Sequence, residues 1–119
     1  MVELPGTWRV VALSRAEVDA EGQQAPWLTF DGDGQVYGFA GVNRVRGTWT
    51  LKGDRLTFGP VVSTLMAGPD PATAVEREVL RLLSQVLTVD PGEDGTLRLK
   101  AADGAGATLA TQPPVSSVV

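Results

Sequence analysis

A chain of 119 residues with net charge −4 and a sequence pI near 4.6 has room for one domain and one core. It contains neither Cys nor His, which excludes a thiol nucleophile, a disulfide, a thiolate zinc site, a Ser–His–Asp triad and a histidine acid–base or metal ligand. The closest basic pairs free of an intervening acid are Arg44 with Arg46 and Arg98 with Lys100, too little clustered charge for a nucleic-acid partner.

Short apolar runs alternate with turn signals over most of the chain. Residues 7–13 predict a first strand with Trp8, Val10 and Ala12 on one face. Residues 15–24 are polar and contain Gly22, so they form a loop. Residues 27–30 predict a second strand that places Leu28 and Phe30 together. Asp31-Gly32-Asp33-Gly34 is a hairpin turn, because Asp and Gly tolerate positive φ. Residues 35–40 return as a third strand, with Tyr37 and Phe39 on the face opposite Val36 and Ala40.

The stretch from Gly41 to Gly47 predicts an irregular, rigid turn in which Gly41, Asn43 and Gly47 adopt conformations other residues reach poorly. A fourth strand then covers residues 48–51, with Trp49 and Leu51 inward. Lys52-Gly53-Asp54 reverses the chain into a fifth strand, 55–58, with Leu56 and Phe58 inward. This period of two suits a sheet with one wet face.

The period changes after Gly59-Pro60. Asp70 reads as an N-cap with Pro71 at the first helical position. Val75, Val79, Leu82, Leu83 and Val86 then keep helical spacing over residues 71–86, and Glu76, Arg77, Glu78, Arg81 and Gln85 fill the wet face. Glu78 and Arg81 can pair there. Strands resume over 87–90, 96–100 and 107–112, separated by Pro91-Gly92-Glu93-Asp94-Gly95 and Asp103-Gly104-Ala105-Gly106. Pro113-Pro114 ends the domain, expected over 1–112, and leaves 113–119 as a tail.

About eight strands joined by hairpins, plus one helix, predict a mainly β (α+β) domain. The expected form is a small antiparallel barrel or strongly coiled sheet, with the helix over an open end or face. No apolar run approaches the roughly 20 residues of a membrane span. The start, Met1 to Gly6, resembles neither a basic region nor a signal core. The protein is therefore expected in the cytoplasm if Met1 is the native start, and in the cell envelope or periplasm if a signal was removed.

The run Gly38-Phe39-Ala40-Gly41-Val42-Asn43-Arg44, with Gly47 and Trp49 after it, resembles the central motif of the META (HslJ-like) domain family. Leu56-Thr57-Phe58-Gly59 and Thr64-Leu65-Met66-Ala67-Gly68 resemble its second half, and Trp8 resembles its first-strand Trp. Val42 stands where the family often has one Cys, and Gly68 where it has another. Both are replaced together, so if those cysteines pair in relatives the pair is lost here as a unit. The resemblance implies a bacterial domain associated with stress responses or the cell envelope, of unknown function and without a general enzymatic activity.

Each remaining motif has a plain structural reading. Asp31 and Asp33 start like a calcium loop, but the late bidentate Glu is missing, so no metal is expected. The glycines from Gly38 to Gly47 lack a following helix and a dinucleotide fingerprint, and strand glycines mark bulges or tight bends. Trp8, Trp49, Phe30 and Phe58 are expected in the core. Ser63 and Thr64 lack a base, and no catalytic residue or cofactor is assigned. Asn43 reads first as a left-handed turn residue or a cap on neighbouring amides. Asn43, Arg44, Arg46, Tyr37 and Phe39 are the candidate binding residues. The expected function is non-enzymatic: an accessory domain that binds a protein partner or acts as a scaffold. A small-ligand-binding barrel is the second reading.

Overall fold

The computed structural model describes residues 3–19 and 25–111. Among these the strands are β1 (Gly6–Leu13), β2 (Trp27–Phe30), β3 (Gln35–Phe39), β4 (Arg44–Lys52), β5 (Arg55–Phe58), β6 (Val62–Ser63), β7 (Leu87–Pro91), β8 (Leu97–Ala101) and β9 (Gly106–Thr111). A single helix, α1 (Asp70–Leu83), lies between β6 and β7. Eight strands run in the order β3-β2-β1-β9-β8-β7-β5-β4, and pairing of β3 with β4 closes the ring. All pairings are antiparallel. The expected antiparallel barrel with one packed helix is therefore the observed fold.

The alternation read from the sequence fills the barrel. Val10, Leu28, Phe30, Val36, Leu56, Val89, Leu97, Leu99 and Leu109 are buried, each on the inner face of its strand. An eight-stranded barrel has an interior just wide enough for side chains. Here Val79, Leu82 and Leu83 of α1 meet Val10, Leu28, Leu99 and Leu109 around a residual void of about 20 Å³. The helix thus plugs the barrel with its apolar stripe. Phe30 stacks edge-on against Trp49 at 5.5 Å and lies 6.2 Å from Phe58. Trp49 and Phe58 are only half-buried against this core, whereas Trp8 is buried and donates its indole N–H to the Leu4 carbonyl at 2.8 Å.

Glycine lets β2 and β3 come together at one tight point. Gly38 faces inward opposite Leu28, and a Cβ there would lie 2.0 Å from the Trp27 carbonyl oxygen. Only a residue without a side chain lets β2 and β3 approach this closely. The Asp31-Gly32-Asp33-Gly34 turn forms as expected. Asp31 Oδ1 accepts the amides of Asp33 and Gln35 at 2.8 and 3.1 Å, and Gly34 takes φ +90°.

Several expectations are corrected. The irregular stretch is short: only residues 41–43 turn, and β4 begins at Arg44 rather than at residue 48. Arg44 to Thr48 pair in register with Phe39 to Gln35. Neither Asn43 nor Gly47 has positive φ. Gly47 is needed for space instead, since a Cβ there would sit 3.1 Å from the Pro60 carbonyl oxygen. Residues 62–63, too short a run to carry a readable period, form β6 on the side of β4 away from β3. A register shift between Val10 and Ala12 is a bulge in β1, and it turns Ala12 outward.

The helix also differs from its sequence pattern. It ends at Leu83, so Val86 leaves the stripe and is 52% exposed. Pro69 rather than Asp70 occupies the N-cap, with no side-chain cap bond; Asp70 contributes its charge to the first turn. Glu78, expected on the wet face, is only 6% exposed. It still pairs with Arg81, at 2.9 and 2.8 Å, and Arg81 continues to Asp103 at 2.7 Å. The ion pair lies across the edge of the helix footprint, so the long guanidinium reaches out while the carboxylate stays in. The expected strand end at Gln112 and the tail 113–119 fall outside the described residues, as does Gly22 of the first loop.

Candidate functional site

The candidate residues lie on either side of the turn that joins β3 to β4. Gly41 opens the turn with φ +136°, and a Cβ there would meet the Ala72 carbonyl oxygen of α1 at 2.9 Å. The turn therefore packs directly on helix backbone. Glu76, one turn further along α1, receives it. Glu76 Oε1 accepts the Val42 amide at 2.9 Å and the Asn43 amide at 2.5 Å. Glu76 Oε2 accepts the Asn43 side-chain N–H at 2.7 Å. Burial pushes the Glu76 carboxyl up, but the hydrogen bonds from the Asn43 side chain and the two amides outweigh it and hold it below the ordinary glutamate range.

Asn43 is the hub of this arrangement. It is only 5% exposed. Its Oδ1 accepts the Met66 amide at 2.6 Å and the Thr64 hydroxyl at 2.8 Å. Its Nδ2 donates to the Met66 carbonyl at 3.0 Å as well as to Glu76. Two acceptor positions and two donors are thus all in use. One amide side chain ties together the β3–β4 turn, the segment after β6 and α1. Its side chain caps the distant Met66 amide and not a neighbouring one, and its φ is not positive.

The other four candidates gather on the outer face. Tyr37 lies opposite Arg46, and Phe39 opposite Arg44. The rows continue across the sheet. Phe39 lies beside Trp27, which lies beside Arg9; Tyr37 lies beside Thr29, which lies beside Thr7. Arg46 is flanked on its other side by Val62 of β6. The resulting face carries Arg9, Arg44 and Arg46 among Trp27, Tyr37 and Phe39. No Asp or Glu occurs in β1, β2, β3, β4 or β6. Among the described residues none of the three arginines makes an ion pair, and the Arg9 Nε is buried without a partner.

Sequence reasoning did not single out Arg9, Val62 or Glu76. Arg9 and Trp27 join the face only through cross-strand register. Glu76 looked like one more wet-face helix residue. Leu65 and Met66, beside this face, are 95% and 65% exposed, although the Asn43 bonds hold Met66 backbone in place. Among the described residues no group of three or more Asp or Glu side chains is placed to hold a metal.

The META domain family model matches residues 2–114. The chain belongs to the META domain family. The barrel also matches a solved structure, the NMR structure of a protein from Burkholderia xenovorans, with TM-score 0.77 and 26% identity over 92% of this chain and 83% of that one. A second NMR structure has TM-score 0.73 and 18% identity, over 93% of this chain and 96% of that one; this likeness concerns the fold. No curated protein matches the chain. Val42 and Gly68, the two positions at which the resemblance implied Cys, lie face to face. A Cβ on Gly68 would lie 3.3 Å from the Cβ of Val42 and 2.6 Å from its Cγ2. The Val42 methyl groups fill the room that a side chain at 68 would need.

Proposed function

We propose that this META domain is a non-enzymatic accessory domain, associated with stress or the cell envelope, that docks a protein partner through the outer face of β1 to β4. The observation that carries this reading is the segregation of charge. A chain of net charge −4 presents Arg9, Arg44 and Arg46 with three aromatic rings on strands that hold no Asp or Glu. Arginine and aromatic residues are the types enriched where proteins meet. Among the described residues, no ion pair ties Arg44 or Arg46 to the rest of the fold.

The filled interior supports protein docking over a small-ligand barrel. A void of about 20 Å³ lined by apolar side chains is far below the roughly 300 Å³ of ordinary ligand sites. The reading is tested with the paired variant Arg44→Ala/Arg46→Ala and a control, Lys100→Ala, on the far side of the barrel. Crosslinking in cell extract should give a defined adduct with the wild type and the control, and none with the arginine variant, while all three keep the same denaturation midpoint. An adduct that survives loss of both arginines would sink the proposal.

A further inference from the structure

The barrel is closed, yet among the described residues the sheet still has a free edge. The strand order runs past β4 to β6 and ends there. Thr64 donates its amide to the Arg44 carbonyl at 3.1 Å, and Val62 is in register with Arg46. Antiparallel backbone groups alternate in direction, so the N–H and C=O of Ser63, between these two, point away from β4. They point toward a groove of about 430 Å³ between β6 and the second half of α1, lined by Phe58, Val61, Ser63, Leu80 and Leu83 among others. Phe58, Val61, Leu80 and Leu83 give the groove an apolar part beside exposed polar groups, and β6 turns the N–H and C=O of Ser63 toward it.

We propose that this edge takes an extended segment of the partner as an added strand, one in which apolar and acidic residues alternate. The inference rests on the protein-docking reading above and specifies the partner's chemistry. Strand addition draws its affinity from main-chain hydrogen bonds and its specificity from alternate side chains. A residue opposite Ser63 lies on the inner side, because Ser63 pairs with the buried Val45. It enters the groove against Val61 and Leu80. Its two neighbours point outward beside Val62 and Thr64, about 10 Å from the Arg46 and Arg44 backbones, given two strand spacings. That distance is within the joint reach of an arginine and a glutamate side chain. Among the described residues neither guanidinium makes an ion pair, so acidic residues fit these outward positions and lysines are repelled.

The test uses the full chain, uniformly 15N-labelled, and three synthetic blocked heptapeptides. One alternates Glu and Val, one alternates Lys and Val, and one has the first composition with Glu and Val in separate blocks. The alternating acidic peptide should shift the amides of Val61, Ser63 and Leu65 and slow hydrogen exchange at Ser63. It should bind more than tenfold tighter than either of the others. Arg44→Ala/Arg46→Ala should remove its preference over the lysine peptide. N-methylation of its central residues, which deletes the edge hydrogen bonds without touching the protein, should abolish binding. Equal affinity for the three peptides, or no binding of the acidic one, overturns the inference. Binding that shifts Tyr37 and Phe39 but leaves Ser63 unchanged also overturns it, while the docking face of β1 to β4 stands.

Discussion

Glu76 shows how one carboxylate can organise a turn three strands from its own element in the chain. It accepts hydrogen bonds from Val42 and from both nitrogens of Asn43, and its folded pKa lies below the ordinary value of about 4.5. A depressed folded pKa stabilises the native state fully above the unfolded value. That stabilisation disappears as pH falls through the folded value, because the unfolded chain then binds the proton first. Stability should therefore decline below about pH 4.5 in wild type, and the part due to Glu76 should be missing from Glu76→Gln. The variant should also lose about 1–3 kcal/mol at neutral pH, because a neutral amide oxygen accepts more weakly and its NH2 cannot accept from Asn43 Nδ2. Urea titrations of both proteins from pH 7 to pH 3 check this. A constant difference between the two curves across the range would contradict the assigned role.

At the level of elements, α1 is held by its stripe and not by its cap. Its N-cap makes no side-chain hydrogen bond, whereas Val79, Leu82 and Leu83 reach the barrel interior. Leu83 is buried, so Leu83→Ala should cost about 2–5 kcal/mol through lost contacts and the cavity left behind. An unchanged denaturation midpoint would count against this packing. The segment between β6 and α1 offers a second test. Positions 42 and 68 face each other, with Cβ atoms 3.3 Å apart if Gly68 carried one, slightly inside the usual disulfide spacing of about 3.5–4.5 Å. The double substitution Val42→Cys/Gly68→Cys should form a disulfide after small adjustment and stabilise the fold by about 2–4 kcal/mol under oxidising conditions. Thiol titration and melting with and without reductant check it; persistent free thiols would show that the turn and the segment after β6 are held apart.

The whole molecule is one ring whose closing pair, β3 with β4, lies next to the turn clamped by Glu76 and Asn43. The helix plugs the same ring that the clamp closes. Neither can be removed without opening apolar surface on the other, so unfolding should be a single cooperative step. Trp8 in β1 and Trp49 in β4 report on distant parts of the ring. Tryptophan fluorescence and far-UV circular dichroism should give coincident denaturation curves. A fluorescence transition that precedes the loss of circular dichroism would mean that the ring opens before its strands melt.

Alternation of apolar residues, the Asp-Gly turns and the helical spacing of Val75, Val79, Leu82 and Leu83 determined by themselves a β-rich fold with one packed helix. These are short-range consequences of side-chain periodicity and backbone sterics. The chain's motifs also carried the META resemblance. Other features needed the tertiary structure because their partners are distant in sequence. Arg9, Trp27, Phe39 and Arg44 form one row only when four strands pair in register. Glu76 becomes a capping group only when the helix folds back across the β3–β4 turn. Glu78 was misread because helical periodicity tells which residues share a face, but not how far the neighbouring sheet extends over its rim. The two-residue β6 is too short to carry a period, and its free edge exists only because β4 continues beyond β5 and lends it a ladder.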